Sequence, residues 1–382
     1  MRRLIVLIAI VLFIWLPSMA ATKITVKQLD ELLADQHKLA RTDEATAVSL
    51  KDLHLTEQLT TAAINGLTRY DPGPLTITQI RILATDSSLL PSPPSDLPAV
   101  PVPDKAAQSA IIARAVDYAT HQFATLPKLS AEKVTTRYQN GIEYIQTNSG
   151  TSSNFANGSP ELKPINQYLR ILGEHTSPVQ SEGGVELPPA KVKGLDPASQ
   201  NGQISQGGSG PVLGMILMDA GKGQISWLRW ESIDDKQIAV FAFAVDKKQS
   251  QYRVDYCCFP VKENVGSAIP VGNMGGMSAA HGTVTTFKPF SAKPGYHGQL
   301  FIDPETGTIV RLITQADLKP TDFVHQEDIR VDYSRVNIGG KQYVVPVKSV
   351  ILTEVVPNGD SYVKYSTRRT LFDMEYRNYQ LR

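Results

Sequence analysis

The sequence predicts an α+β chain, with a helical N-terminal segment followed by an antiparallel β-meander that carries one packing helix. Three observations predict it. Apolar residues recur at helical spacing from Thr25 to Leu90, and the period drops from 3.6 to 2 after Leu126-Pro127. The later alternating runs are then joined by hairpin turns.

Residues 1–20 read as a signal peptide. Arg2 and Arg3 lead an unbroken apolar run from Leu4 to Leu16, Pro17 breaks it, and Ser18-Met19-Ala20 places small residues at a cleavage site. Crossing a bilayer takes about 20 apolar residues, so a run this short favours removal over anchoring. The expectation is an exported protein of the periplasm or cell envelope. An uncleaved signal holding it to the inner membrane is the alternative.

The remaining chain divides by composition into a helical segment over 21–90, a Pro-rich linker over 91–104 and a β-rich region over 105–382. Thr25 with Gln28 forms a capping box ahead of Val26, Leu29, Leu32 and Leu33. Thr42-Asp43 opens a second short helix, Thr56-Glu57 a third, and Ile77, Ile80 and Leu83 mark a fourth after Pro74. The stretch from Leu90 to Pro103 holds six prolines in fourteen residues, the composition of a semi-rigid spacer. Asp104 caps a longer helix with Ile112, Val116, Ala119 and Phe123 on one face.

Val134–Tyr138 and Ile142–Ile145 read as the first strands, turning at Gln139-Asn140-Gly141. Residues 147–210 read mostly as loop, with a short helical stretch around 165–172, and Val212–Ala220 reads as helix. Gln224–Glu231, Gln237–Val245 and Gln251–Phe259 follow as strands. The second is apolar on both faces and so should be covered on both sides. Pro260–Gly295 is a long stretch with Met274 and Met277, readable as a mobile lid or a surface insertion. Hairpins follow around Asp303–Gly307, Asn337–Gly340 and Pro357–Asp360, the last with the Asn-Gly pair of a type I′ turn.

A resemblance emerges from these last residues. Gly298-Gln-Leu-Phe-Ile-Asp303 with Thr306-Gly307, Val331-Asp-Tyr333, Ile338-Gly-Gly340, Tyr343-Val-Val-Pro346 and Tyr376-Arg-Asn-Tyr379 resemble the periplasmic lipoprotein-carrier superfamily, which sorts outer-membrane lipoproteins. The whole chain, including Tyr252–Cys258, also resembles a group of secreted bacterial proteins of unassigned function. The carrier resemblance implies a strongly curved half-barrel sheet over residues 105–382, with helices plugging an apolar cavity. It implies a lipid or lipidated protein as partner, and transfers no site residue.

Lys and Arg number 38 against 37 Asp and Glu, so the chain offers no general attraction to nucleic acid or to anionic lipid. No elbow serine, phosphate loop or metal-spaced histidine pair stands among its motifs, and no catalytic residue, metal or cofactor is assigned. His325-x-Glu327 would share one strand face, too few ligands for a site. His281 and His297 are the histidines nearest in sequence to the cysteines.

Cys257-Cys258 is the most unusual feature. Neighbouring strand residues point to opposite faces, which suits two separate thiols. Adjacent Cα atoms lie about 3.8 Å apart, below the usual disulfide range, so a vicinal disulfide needs a distorted strand. Trp227, Trp230, Phe241, Phe243, Tyr252 and Tyr256 read either as core or as the wall of an apolar cavity. The expected function is non-catalytic binding of an apolar ligand or lipidated partner. The alternative is an envelope interaction protein that uses its N-terminal helices.

Overall fold

The computed structural model describes residues 22–147, 161–187, 202–203, 213–214, 216, 219, 224–269, 278–355 and 367–382. Residues 141–147, 161–167, 202–203, 258, 260–269 and 278–287 are described by their backbone alone. Residues 1–20, expected to be a signal peptide, Met274, Met277 and the turn expected at Asn358-Gly359 lie outside the described residues.

The chain is α+β, built on an open antiparallel sheet of ten strands that does not close into a barrel. Its described residues open with β1 (Thr22–Ile24), α1 (Val26–Lys38), α2 (Asp43–Leu50), β2 (Leu53–Leu55), α3 (Thr61–Leu67) and α4 (Pro74–Asp86). The predicted capping box is present, with the Thr25 and Gln28 side chains each accepting from the other's backbone N–H. Thr42 caps α2 as expected. The third cap falls at Thr60 instead of Thr56. Thr56 and Glu57 are occupied elsewhere, since β1 and β2 pair in parallel and Glu57 accepts from the Val26 N–H at 2.8 Å. Leu29, Leu33, Leu50, Leu59, Leu67, Ile80 and Leu83 form the core of this module.

α5 (Lys105–Asp117) is capped by Asp104 and runs into a π-helical turn, Tyr118–Phe123. The buried stripe is Ile111, Ala115, Tyr118, Ala119 and Phe123, so Ala119 and Phe123 lie where expected, while Ile112 is half-buried and Val116 exposed. The expected stripe through Ile112 and Val116 is thus displaced by one residue. The π turn inserts an extra residue, which brings Phe123 back to the core.

Then come β3 (Leu129–Thr147), β4 (Glu161–Glu182), β5 (Val185–Glu186), β6 (Gly202–Gln203), β7 (Gln224–Ile233), β8 (Lys236–Val245), β9 (Val254–Ile269), β10 (Ser278–Ala292), β11 (Tyr296–Ile302), β12 (Ile309–Ala316), β13 (Val324–Ile338), β14 (Lys341–Val355) and β15 (Arg368–Leu381). The main sheet runs β5-β4-β3-β15-β14-β13-β12-β11-β8-β7, and β10-β9-β6 form a separate ribbon.

Three sequence expectations are corrected here. Gln139-Asn140-Gly141 does not turn; β3 runs straight through it. The Asn140 amide donates to the Thr367 carbonyl and accepts from the Arg369 N–H, so it ties β3 to β15. Residues 161–182 are a strand, not loop and helix. β4 lies near the sheet margin with most of its described side chains exposed, so it carries no alternation to read. Within the stretch 260–295, the described residues 260–269 and 278–292 pair as a β-ribbon instead of forming a loop.

Both faces of the sheet are covered, as the doubly apolar strand predicted. On one face Ala239, Phe241, Phe243, Leu300, Leu312, Ile329, Val331 and Met374 pack under α5. On the other, Ile82 of α4 meets Tyr138, Val350, Leu352 and Leu371. Leu89 joins that group to Ile238, Val240, Phe301 and Ile313.

The α4 face also carries buried charge. Asp332 accepts from Arg311 (2.5 Å) and Arg330 (3.0 Å), and Arg311 lies 3.7 Å from the buried Glu231. Glu231 accepts from Ser92 at 2.5 Å, and the Trp230 indole donates to the Pro101 carbonyl. The Pro-rich segment is therefore laid along β7 and held by hydrogen bonds.

Candidate functional site

The site grows from a local fault in β9. Tyr252, Val254 and Tyr256 are buried at alternate positions, as a half-buried strand requires. Opposite them in β10, Tyr256 pairs with Phe290, and Phe259 pairs with Lys288. Cys257 and Cys258 thus stand against a single residue, Pro289, which makes a β-bulge. Pro289 has no N–H to lose from the ladder, so the interruption there leaves one fewer donor to satisfy.

The bulge changes the parity of the strand. Without it Phe259 would face away from Tyr256; with it both rings enter the core. They stack at 5.1 Å and 29°. Phe259 in turn lies 5.1 Å from Phe323, whose ring is 38% exposed just ahead of β13. Three rings therefore descend from the surface into the core face of the sheet. At the inner end, burial pushes the Tyr256 hydroxyl up, against the opposing pull of Arg368 and Arg137. Arg137 also sits 5.7 Å over the Phe372 ring.

Cys257 is buried and disulfide-bonded. The chain's one other cysteine is Cys258, whose side chain lies outside the described ones.

The segment leading into β9 is anchored to the sheet by buried carboxylates that accept from tyrosines. Tyr252 donates to Glu327 at 2.8 Å, and Tyr296 donates to Asp219 at 3.0 Å. The two rings lie 5.4 Å apart. Burial and then the adjacent carboxylate push both phenols up, so they stay protonated donors at neutral pH. Glu327 and Asp219 are both fully buried. Asp219 also accepts from the Gln251 N–H at 2.9 Å, so both carboxylates, sealed from solvent, fasten the residues that lead into β9.

Other residues singled out in the sequence are dispersed. A bulge between Val324 and Gln326 sends His325 to Glu354 at 3.5 Å, while Glu327 turns to Tyr252 on the opposite face. His297 pairs with Asp317 at the surface. The His281 side chain is outside the described ones. Trp227 packs edge-on against Trp230 and Phe241, and Phe243 against Tyr296, as core. Among the described residues no group of His, Cys, Asp and Glu is arranged to hold a metal. None of the described helices is long and apolar enough to cross a membrane. A cleft of about 20 Å³ lies between Leu129, Val179, Glu186, Val345, Tyr376 and Tyr379, with room for little more than a water.

The role of Phe259 and Phe323 was missed in the sequence. The three-residue step from Tyr256 to Phe259 across two cysteines breaks the period of two, and that break was the available signal. In comparisons with protein-family models, curated proteins and solved structures, nothing matches the chain.

Proposed function

We propose that the chain is an exported, non-catalytic binding protein of the cell envelope that takes an apolar ligand or a lipidated partner against the aromatic face of its sheet. In this reading the open sheet is coiled as a half-barrel, in the manner of the lipoprotein carriers it resembles. The helical module packs on the opposite face of the sheet through Ile82 and leaves the aromatic face to the ligand. The observation that carries it is the ring stack. Phe323 presents a large apolar surface to solvent, backed by Phe259 and Tyr256 in a line that leads inward. A solvent-facing ring continuous with the core is where an acyl chain could displace water with little rearrangement. The near-balanced charge of the chain suits an apolar partner and not a nucleic acid.

Native mass spectrometry of the chain, expressed with its own leader and purified gently from the periplasm, tests this. Extra mass that leaves on denaturation and proves to be lipid or another apolar molecule supports it. A bare chain that also ignores added fatty acid overturns it.

A second reading has its own observation. Val48 on α2 and Leu75 and Ile77 on α4 are more than half exposed on two helices that pack together. Exposed apolar side chains on two packed helices suit a protein partner of the envelope. Deleting the helices would uncover the α4 face of the sheet, so point variants are the cleaner test. Val48→Asp with Ile77→Asp should abolish partner capture if these side chains form the interface.

A further inference from the structure

We propose that Cys257 and Cys258 are joined as a vicinal disulfide that acts as a two-electron switch on the ring stack, holding Phe259 in the core when oxidised and releasing it when reduced. The switch of the bulge stands on geometry alone, whereas its effect on ligand capture rests on the function proposed above.

Three observations converge on this. Cys257 is disulfide-bonded, and the only other cysteine in the chain is its neighbour. Adjacent Cα atoms are closer than disulfide bonding ordinarily allows, so the strand must depart from extended geometry wherever such a bond forms. The departure is present at these two residues and at no other pairing of β9 with β10. The same departure is what turns Phe259 inward. A bond, a bulge and a ring stack thus occupy four consecutive residues, Tyr256 to Phe259.

The chemistry is thiol–disulfide exchange with an external dithiol. One thiolate of the dithiol attacks a sulfur of the Cys257–Cys258 bond. That bond breaks as a mixed disulfide forms, and the freed cysteine sulfur takes up a proton. The second thiol of the reductant, deprotonated, displaces the remaining cysteine, which takes up a proton in turn. The reductant leaves as a disulfide, and two electrons have passed to the cysteines. With both residues as thiols, nothing requires the bulge. Regular pairing places residues 256 and 258 on one face and turns residue 259 to the other. Phe259 then leaves its place between Tyr256 and Phe323. β6 pairs Gly202 with Cys257 and Gln203 with Tyr256, so this short strand lies beside the bond and must yield with it.

The test is reversible reduction of the wild-type chain by dithiothreitol under native conditions, followed by intact mass and by amide hydrogen exchange. The oxidised chain should be about two hydrogens lighter than the reduced one. On reduction, protection across residues 255–260 and 287–292 should fall about tenfold and return on reoxidation, while 329–336 in β13 stays unchanged. A Cys257→Ala, Cys258→Ala variant should show the low protection throughout and ignore the dithiol. A mass that does not change on reduction overturns the proposal, and so does a mass change with unaltered protection. None of these readouts uses a ligand. Fatty-acid binding, followed in parallel, separates the two ideas. Binding that persists without any redox response removes the switch alone. A redox response without binding removes the apolar-site reading alone.

Discussion

Arg330 reaches from β13 across the α4 face of the sheet and donates to the Ser88 carbonyl at 2.7 Å, two residues beyond the end of α4. The guanidinium is buried and also holds Asp332. One side chain therefore joins the sheet's buried charge to the backbone that delivers the helical module. Arg330→Met removes both bonds while keeping the stem's volume. It leaves Asp332 with Arg311 alone and a buried carbonyl unpaired, a loss of roughly 3 kcal/mol. Urea unfolding of the variant should show a lower midpoint, and residues 74–92 should lose amide protection before the sheet does.

Two aspartates on the same strand face should respond to pH in opposite directions. Burial alone would raise the Asp332 carboxyl, but Arg311 and Arg330 outweigh it and hold the group well below the usual range. Its contribution to stability is present above the ordinary carboxylate pKa of about 4 and is lost as pH falls below it. Asp328 lies four residues away on the same strand, where burial outweighs hydrogen bonds from Gln326 and Gln315 and raises its carboxyl. Its contribution is present in acid and is lost as pH rises through the raised value. Asp332→Asn should therefore cost about 3 kcal/mol at pH 7 and progressively less toward pH 3. Asp328→Asn should stabilise by about 1 kcal/mol at pH 7 and change nothing near pH 3, because Asn keeps the acceptor and removes the buried charge. Unfolding in urea at both pH values checks the pair. The same sign for both at pH 7 would refute the assignment.

Asn140 was readable from sequence as the corner of a turn, yet it sits buried inside a nineteen-residue strand. Its amide makes two hydrogen bonds to the backbone around Arg369. Asn140→Ala would orphan the half-buried Thr367 carbonyl and Arg369 N–H at the start of β15, at about 1–3 kcal/mol in all. Retention of wild-type stability in Asn140→Ala would argue that β3 does turn there.

What the sequence disclosed and what it hid follow one physical line. Helix caps are local, because a threonine and a glutamine three residues apart need nothing else; Thr25 and Gln28 were legible for that reason. The doubly apolar strand around Phe241 was legible because burial on both faces writes itself into every residue. β4 was not, since a mostly exposed strand has no face to mark, and Pro164, Gly173 and Pro178 mimic a loop. The buried charge of Arg330 and Asp332 was silent because its partners, Ser88 and Arg311, lie far off in sequence. The candidate site was half legible. The cysteine pair drew attention, but Pro289, which faces it, and Phe323, which closes the stack, belong to other strands.

Phe323 and Phe259 separate binding from stability. Phe259 is 3% exposed, so Phe259→Ala empties core volume and should cost about 3–5 kcal/mol. Phe323 is 38% exposed and leaves little cavity when truncated, so Phe323→Ala should cost under about 1.5 kcal/mol. If the stack receives an apolar chain, Phe323→Ala should nonetheless weaken fatty-acid binding about tenfold, the loss of one ring contact worth about 1.4 kcal/mol. Isothermal titration with a long-chain fatty acid, alongside urea unfolding of the same preparation, measures both quantities. Weakened binding at near-native stability places the ligand on the exposed ring. Unchanged binding at Phe323→Ala removes the stack as its site, and the exposed side chains of Val48, Leu75 and Ile77 then become the surface to test.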